Sequence, residues 1–464
     1  MNCAQNWSYD RYLPQLCDEP VYICRIVPTA NSIQIEYKTA LDGEKALFYR
    51  AKGADSEWMS ASADGGKATV SGLDIDTELE FFVACGDKKS AVGYARTSDV
   101  PGKVINYLHP DDKKYAFSGQ HLCTPCLLRH PDGYLLVSMD IFDGGAPQNL
   151  TVIFRSDDDG ASWYHYTELF PCFWGKLFMH RGDVYMLATS TEYGDLLIGK
   201  SEDGGKTFST PTVLSRGSCH CKTPGWHKSS MPVTEHAGRL WTAVDYGAHA
   251  AGGHASSLLS ASVDSDLTDA QSWVITPPLA YNKRWRASVI GDERGFIEGN
   301  AVVTPDGSIA NVLRYSTDRG EPRYGLIPIL RGDVNDPERQ LKFDKYVAFD
   351  GNLSKFDILY DEKSGFYYSL ANRIYDGERP RARNILTLMR STDLERWENV
   401  YDVLDYSHLD HTKVGFQYVS FIFDGDNILF VSRTAYGGAQ NFHDNNYVTF
   451  HKIPGFRTLT ALHN

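Results

Sequence analysis

The sequence predicts an all-β protein in which a small β-sandwich domain precedes a six-bladed β-propeller. Three observations lead to this prediction. A turn motif occurs twice at the interval of one blade, apolar strand-like segments recur in six similar units, and the chain lacks the periodicity of long helices. At 464 residues, of which 42% are hydrophobic, the chain can bury cores in more than one domain.

The repeated turn has the pattern S-x-D-x-G-x-[ST]-[WF]. It spans residues 156–163 and returns about 45 residues later at 201–208, with a looser copy at 391–397. An Asp side chain bonds nearby backbone and Gly tolerates a positive φ, so both residues suit a tight turn. The aromatic residue that ends the pattern is expected to anchor the following strand.

From about residue 101 the chain divides into six units of roughly 45 to 60 residues, the length of a four-stranded blade. Each unit opens with an apolar inner strand, and radial closure of the blades protects the sheet edges. The last blade is predicted to take its outer strand from residues 103–107, which closes the ring. The predicted openings lie near residues 122–125, 172–175, 225–228, 296–299, 353–356 and 415–418.

The segment before the propeller divides into an extension, residues 1–18, and a β-domain, residues 19–100. Segments such as 32–37 and 67–70 alternate polar and apolar positions, and about seven short strands fit a sandwich of this length. Residues 70–83 resemble the E–F corner of fibronectin type III domains. The resemblance implies a module that spaces or supports the propeller. The alternative is an irregular β-extension of the propeller itself.

Composition excludes several classes of function. A net charge of −13 argues against a nucleic-acid partner, and no apolar run reaches transmembrane length, so no membrane partner is predicted. Residues 1–10 lack a signal segment, which predicts a cytoplasmic protein, or a secreted or periplasmic one if a leader was removed. Nine Cys favour buried free thiols over a disulfide framework. Neither a phosphate-binding loop nor a clean metal spacing occurs, so no cofactor is predicted.

Polar and aromatic residues cluster at the inner-strand openings and in the loops after them, which line one central pocket in a propeller. This convergence predicts a ligand site for a glycan or glycoside. The candidates at the openings are Trp174, His227, Lys228, Glu298, Gln417 and Tyr418, and those in the following segments are Asp140, Tyr246, Arg314, Arg383, Arg433, His443 and Asp444.

The turn motif and the blade count over residues 101–464 resemble the Asp-box propellers of the sialidase superfamily. The resemblance implies an exo-acting glycoside hydrolase with Tyr418 as nucleophile and Glu298 as its base. A phenol titrates near pH ~10 and needs such a base, and Tyr nucleophiles are a known variation among glycosidases. Asp140 or Asp143 would be the acid, while Arg314 and Arg383 would clamp a substrate carboxylate.

One departure from the sialidase pattern bears on the substrate. The family carries its first carboxylate-binding Arg on the first inner strand, where this chain has Cys123-Thr124-Pro125. Two of three arginines would form a weaker or differently oriented clamp. The substrate is therefore expected to be another acidic sugar, or a neutral one.

Two other functions fit the same residues. A polysaccharide lyase acting on uronic acids needs a base, an acid and a cation, which His227 or His121, Tyr246 and an Arg could supply. A non-catalytic glycan-binding propeller would use aromatic residues such as Trp174 and Trp226 to stack on sugar faces. Fold alone does not separate these functions.

Overall fold

The computed structural model describes residues 5–12, 19–112, 120–142, 148–218, 222–285, 295–317 and 321–462. Within these ranges the strands form seven sheets, of which six are propeller blades and one belongs to the small N-terminal domain. The predicted all-β, six-bladed architecture is confirmed. The helical elements described are three short 3₁₀ turns, His249–Ala251, Ala270–Ser272 and Phe456–Thr458.

The blades are numbered in chain order, and their strands are antiparallel neighbours. Blade 1 consists of His121–Arg129, Leu135–Phe142, Thr151–Ser156 and Tyr164–Phe170, and blade 2 of Phe173–His180, Asp183–Thr189, Leu196–Ser201 and Thr212–Ser215. Blade 3 consists of Gly225–His227, Arg239–Ala248, Gly253–Ser262 and Trp273–Ile275, with Thr234–His236 and Leu279–Ala280 beside them. Blade 4 consists of Phe296–Val303, Ile309–Tyr315, Leu326–Arg331 and Lys342–Ala348.

Blade 5 consists of Ile358–Asp361, Phe366–Ala371, Ile385–Ser391 and Glu398–Asp405. Its first strand begins later than the predicted opening at 353–356, because residues 351–354 form a turn and 355–357 are irregular. Blade 6 joins Gly415–Asp424, Asn427–Ala435 and Tyr447–Ile453 to Lys103–Tyr107. The predicted ring closure by residues 103–107 is therefore confirmed.

The hydrophobic cores of the propeller lie between consecutive blades. Met186 of blade 2 packs with Leu136 of blade 1, and Leu259 of blade 3 packs with Ile198 of blade 2. The same arrangement continues around the ring, and Leu122 of blade 1 shares a core with Val431 of blade 6. Because each blade covers the faces of its neighbours, no blade buries its apolar surface alone.

The repeated turns have the same hydrogen bonds in blades 1 and 2, between the third and fourth strands. In the first turn Asp158 Oδ1 accepts the backbone N–H of Ser162 at 2.8 Å, and Ser156 Oγ accepts the N–H of Gly160 at 2.8 Å. The second turn repeats both distances through Asp203 and Ser201. The looser copy in blade 5 keeps the Ser–Asp pair, and its Trp397 indole donates to a turn carbonyl, as Trp163 does in blade 1.

The small domain is one continuous sheet. Its strands are Val21–Pro28, Ser32–Thr39, Lys45–Ala51, Met59–Asp64, Lys67–Ser71, Glu78–Cys85, Lys88–Lys89 and Gly93–Arg96. The predicted alternation at 32–37 is observed, since Ile33, Ile35 and Tyr37 are buried in the domain's core. This core also contains Tyr107 and Tyr447 of blade 6, so the domain packs directly on the propeller.

The N-terminal extension takes part in the propeller. Gln5–Asn6 pairs in parallel with the outer strand of blade 1, at Leu169 and Phe170. The fully buried Trp7 then enters the core between blades 1 and 2. Among the residues that the structure describes, no helix is long and apolar enough to cross a membrane.

Candidate functional site

Blades 3 to 6 together line a cavity of about 220 Å³. Each of these blades contributes polar side chains, most of them largely buried. The lining residues are His227, His249, His254, Gly295, Ile297, Glu298, Arg314, Ser316, Arg381, Arg383, Tyr418 and His443. The structure therefore brings together Glu298, Arg314, Arg383 and Tyr418, as well as His227 and His443, all of which the sequence predicted as site residues.

The inner strands of four blades carry a residue in the left-handed backbone region. These residues are Thr124 (φ 44°), Trp174 (φ 53°), Glu298 (φ 56°) and Tyr418 (φ 53°). Each lies at a register shift between the first and second strands of its blade. Non-Gly residues adopt this conformation only where the surroundings enforce it, and such strain concentrates at functional sites.

Buried side chains from other blades hold three of these four bulges. Asp140 accepts the N–H of Trp174 at 2.9 Å, and Asp245 accepts the N–H of Glu298 at the same distance. Lys355 Nζ donates to the carbonyl of Val419 at 2.7 Å, directly after Tyr418. The backbone that presents Glu298 and Tyr418 is therefore fixed independently of any ligand.

Arg314 connects the two central candidates. Its Nη1 atom donates to Glu298 Oε2 at 2.8 Å and to the Tyr418 hydroxyl at 3.0 Å. Burial is the largest influence on Glu298 and opposes its ionisation, but the charge and hydrogen bond of Arg314 and the charges of other nearby groups such as Lys355 together lower the carboxyl pKa below its ordinary value. Glu298 is thus a carboxylate that can accept a proton, and it shares one guanidinium nitrogen with the phenol.

Two further guanidinium groups surround the Tyr418 ring. Arg383 lies 5.6 Å and Arg433 5.2 Å from the ring centroid. Arg383 also donates to Gln417 Oε1, which places Gln417 behind the pocket wall. Burial, together with the neighbouring cations Arg314, Arg433 and Arg381, lowers the pKa of Arg383 to about 9.

Two of the pocket arginines have N–H donors that make no hydrogen bond among the described residues. The buried Nε atoms of Arg314 and Arg383 have no hydrogen-bond partner among the described residues. Buried polar groups without partners are costly, and arginine forks match carboxylates well. An anionic ligand group in the cavity would offset the repulsion among the arginines.

Histidines of blade 3 form another part of the pocket wall. The His254 ring lies 4.9 Å from that of His227 and 4.8 Å from that of His249. Burial lowers the pKa of His227 to about 4 and that of His254 to about 3, so both are neutral imidazoles at neutral pH. The ring of Trp174, 4.2 Å from His227, packs behind this wall.

A histidine–aspartate pair completes the lining from blade 6. His443 Nδ1 lies 2.8 Å from Asp444 Oδ1, and Asn441 donates to the other carboxylate oxygen of Asp444 at 2.9 Å. Arg433 Nη2 donates to the backbone carbonyl of His443 at 2.5 Å. Arg433 and Asp444 therefore support pocket residues from behind.

Three predicted site residues lie away from this pocket. Asp140 and Lys228 are fully buried and bonded to the backbone of Trp174 in blade 2: Asp140 accepts its N–H, and the ammonium group of Lys228, one residue after the strand Gly225–His227, donates to its carbonyl. Tyr246 follows the inward-facing Asp245, so alternation along the strand turns it outward, where it is 36% exposed and packs against Trp226. The other acid candidate, Asp143, lies outside the described residues.

Four polar lining side chains were not among the predicted site residues: His249, His254, Ser316 and Arg381. Ser316 and Arg381 lie in irregular segments, while the two histidines flank the tight hairpin of blade 3. His249 and His254 occur in a stretch rich in Ala and Gly, residues 248–255, which is an unusual setting for polar residues. The contrast between these two histidines and their small neighbours is the sequence feature that could have identified them as site residues.

The departure at Cys123 has a structural counterpart. The positive charge of Arg433 lowers the pKa of the buried Cys123 thiol, whereas the charge of Asp140, which stands opposite Cys123 in blade 1, raises it. Burial nevertheless dominates and raises the pKa of Cys123. Within the described ranges, no group of three or more His, Cys or carboxylate side chains has the arrangement of a metal site.

Comparisons with known proteins agree with the architecture. The chain is similar in fold to the α-L-arabinanase of Penicillium chrysogenum complexed with arabinobiose, with 13% identity over 78% of this chain and 99% of that one and a TM-score of 0.53. A mutant α-L-arabinofuranosidase of Fusarium graminearum gives 12% identity, coverage of 76% and 97%, and a TM-score of 0.51. At such identities the likeness shows the propeller fold. No protein-family model and no curated protein matches the sequence.

Proposed function

We propose that this protein is an exo-acting glycoside hydrolase of sialidase-like type that releases a terminal acidic sugar. The observation that carries the proposal is the bridge from Glu298 through Arg314 to Tyr418 in a cationic pocket. The fold neighbours, an arabinanase and an arabinofuranosidase, support action on a carbohydrate.

The proposed reaction follows from the hydrogen bonds by which Arg314 joins Glu298 to Tyr418. Tyr418 Oη attacks the anomeric carbon as the bond from that carbon to the leaving oxygen breaks, and Glu298 takes the phenolic proton. Arg314 stabilises the charge that develops on the phenol oxygen. A neutral nucleophile suits a substrate whose carboxylate is bound nearby at Arg381 and Arg383, since a carboxylate nucleophile would be repelled.

Three further observations support finer parts of the proposal. A cavity of about 220 Å³ is large enough for one sugar ring and too small for a chain, which favours exo action. The common turn geometry in blades 1, 2 and 5 supports the Asp-box resemblance. The pairing of 32–39 with 67–71 and of 45–51 with 78–85 supports a fibronectin type III-like module at residues 19–100.

The decisive experiment is mass spectrometry of products from sialosides, uronate-containing polysaccharides and neutral glycosides. The wild-type protein is expected to release a terminal acidic sugar with gain of water. Tyr418→Phe should lower kcat by about 10³-fold or more while substrate binding persists, because only the nucleophile is lost. Tyr360→Phe, an exposed tyrosine of blade 5, is the matched control. Full activity of Tyr418→Phe would exclude the proposed nucleophile.

The histidine wall favours a second function, a lyase acting on uronic acids. Neutral His227 and His254 could remove the proton beside a carboxylate that the arginines neutralise. The same products decide between the two functions: β-elimination leaves an unsaturated uronate and adds no water. Absence of product from every substrate would count against both.

A further inference from the structure

The proposed hydrolysis needs a group that protonates the leaving oxygen, and Asp140 is poorly placed for this role. Its Oδ1 accepts from Thr151 Oγ1 at 2.5 Å and its Oδ2 accepts from the Trp174 N–H at 2.9 Å. The residue is 1% exposed and does not line the cavity. With one oxygen bonded to Thr151 of its own blade and the other to the Trp174 backbone of blade 2, Asp140 has no path to a substrate in the pocket.

His443 has the geometry that Asp140 lacks. It lines the same cavity as Glu298 and Tyr418, and its Nδ1 is bonded to Asp444. Asn441 Oδ1 accepts the backbone N–H groups of His443 and Asp444, each at 2.8 Å, so the pair is held from its own backbone. The other ring nitrogen, Nε2, has no hydrogen-bond partner among the described residues.

We propose that His443, oriented by Asp444, is the general acid–base residue of this site. The inference rests on the proposed hydrolase function and adds the one catalytic group that function still lacks. Asp444 is a positioning residue: it fixes the ring orientation and leaves Nε2 for the substrate.

The proton balance closes over two steps. In the first, protonated His443 gives its Nε2 proton to the leaving oxygen as the glycosidic bond breaks and the bond from Tyr418 Oη to the anomeric carbon forms. In the second, neutral His443 Nε2 takes a proton from water as the water oxygen attacks the anomeric carbon. The Tyr418 oxygen then leaves and recovers its proton from Glu298, so both residues return to their starting states.

The charged groups around His443 make its protonation depend on whether an anionic substrate is bound. Arg433 and Arg383 face it as cations and Asp444 as an anion, with His121 of blade 1 close to Asp444. Burial and then Arg433 lower the pKa of His443 to about 4, against the opposing effect of Asp444. A substrate carboxylate at Arg383 would offset part of this repulsion and favour the protonated ring. Turnover is therefore expected to be fastest in the acid range.

The test compares leaving groups. An aryl glycoside with a good leaving group needs little protonation, whereas an alkyl glycoside or natural glycan needs an acid. His443→Gln is expected to lower kcat/KM by about 10² to 10⁴-fold on the alkyl substrate and by less than about 10-fold on the aryl one. Asp444→Asn should show the same selectivity with smaller losses. It also serves as the second variant if His443→Gln fails to fold.

Asp140→Asn and Asp143→Asn are the comparison variants. The assignment of His443 would be overturned if either of these variants lost activity selectively on the alkyl substrate. It would also be overturned if the His443 and Asp444 variants lost activity equally on both substrates. A wild-type protein with no hydrolytic turnover on either substrate would overturn the proposed function itself. The alkaline limb of the pH profile for kcat/KM adds an independent readout, because the fall in rate as His443 loses its proton should disappear in His443→Gln.

Discussion

At the scale of single residues, the site depends on side chains that occupy an uncommon backbone conformation. Glu298 and Tyr418 both have φ values in the left-handed region, and each occurs at a bulge in an inner strand. A regular strand would direct alternate side chains into the blade interior. The bulge re-aims one residue per blade, and here two of those residues meet at Arg314.

Asp140 gives a test at this scale, because burial raises its pKa from 3.8 to about 7. The folded protein binds this proton more tightly than the unfolded chain does, so the group stabilises the fold at acid pH. That contribution is lost as the pH rises from about 4 to 7. An Asn can accept from the Trp174 N–H and donate to Thr151, so Asp140→Asn should keep the bulge. The free energy of unfolding of Asp140→Asn, relative to wild type, should therefore rise between pH 4.5 and 8.

Urea unfolding of both proteins across this pH range measures the difference, in which the titrating groups that do not interact with Asp140 cancel. Asp203→Asn is the control, because its hydrogen bonds lower its pKa and no relative gain is expected above pH 4.5. A constant difference between Asp140→Asn and wild type would show that Asp140 is ionised throughout.

The residues at the centre of the pocket were predicted from the sequence more completely than those of its wall. Glu298, Arg314 and Tyr418 could be predicted because each lies at a strand end whose position repeats from blade to blade. His254 and Arg381 could not, since hairpin and loop conformations follow no such period. Lys228 was predicted in the pocket because its opening was assigned correctly, but its ammonium group turns inward to the carbonyls of Trp174 and Ser229. Which way a polar side chain turns at a bulge depends on tertiary contacts.

At the scale of elements, the structure shows that Gln5–Asn6 of the N-terminal segment belongs to blade 1. The sequence predicted only an extension for residues 1–18, because a two-residue strand is too short to produce an alternating pattern. Gln5–Asn6 nevertheless adds to the outer edge of blade 1. The next residue, Trp7, fills a space that Gly199 of blade 2 leaves open, since a Cβ atom there would lie 2.4 Å from Trp7 Nε1.

This contact predicts matched losses of stability from two distant positions. Trp7→Ala removes a fully buried indole and should cost about 3–5 kcal/mol of the free energy of unfolding. Gly199→Ala adds one methyl group against the same ring and should cost about 1–3 kcal/mol. In the double variant the alanine methyl no longer meets an indole, so the total loss should be smaller than the sum. Urea unfolding measures all three, and additive losses would show that the two residues do not share this space.

At the scale of the whole molecule, closure of the ring and attachment of the small domain depend on the same stretch of chain. Residues 103–107 complete blade 6 and follow directly on the small domain. The sequence predicted the closure because blade 6 lacked a fourth strand. The contacts of the small domain with blade 1 could not be predicted, because they join residues far apart in sequence through single polar groups.

Those polar groups form a buried network between the small domain and blade 1. Tyr22 donates to Glu168 Oε1 at 2.5 Å, and His165 Nε2 lies 2.8 Å from the same oxygen. Lys38 Nζ lies 2.7 Å from the other ring nitrogen of His165, Nδ1. Glu36 Oε1 accepts the backbone N–H of His165 at 3.1 Å. Buried hydrogen bonds of this kind rigidify an interface, although the buried Oε2 atom of Glu36 accepts no hydrogen bond among the described residues and is balanced only by the charge of Arg25, 3.7 Å away.

The network predicts that the small domain and the propeller unfold together. Tyr22→Phe and Glu168→Gln each break a hydrogen bond to a buried carboxylate, so each should cost about 1–3 kcal/mol. The double variant should lose less than the sum, with a coupling of about 1 kcal/mol or more by urea unfolding. Tyr37→Phe, whose hydroxyl bonds Ala63 inside the small domain, should be additive with Glu168→Gln. A small domain that melts in a separate, earlier transition would contradict the prediction, because an interface held by this network transmits the stability of one body to the other.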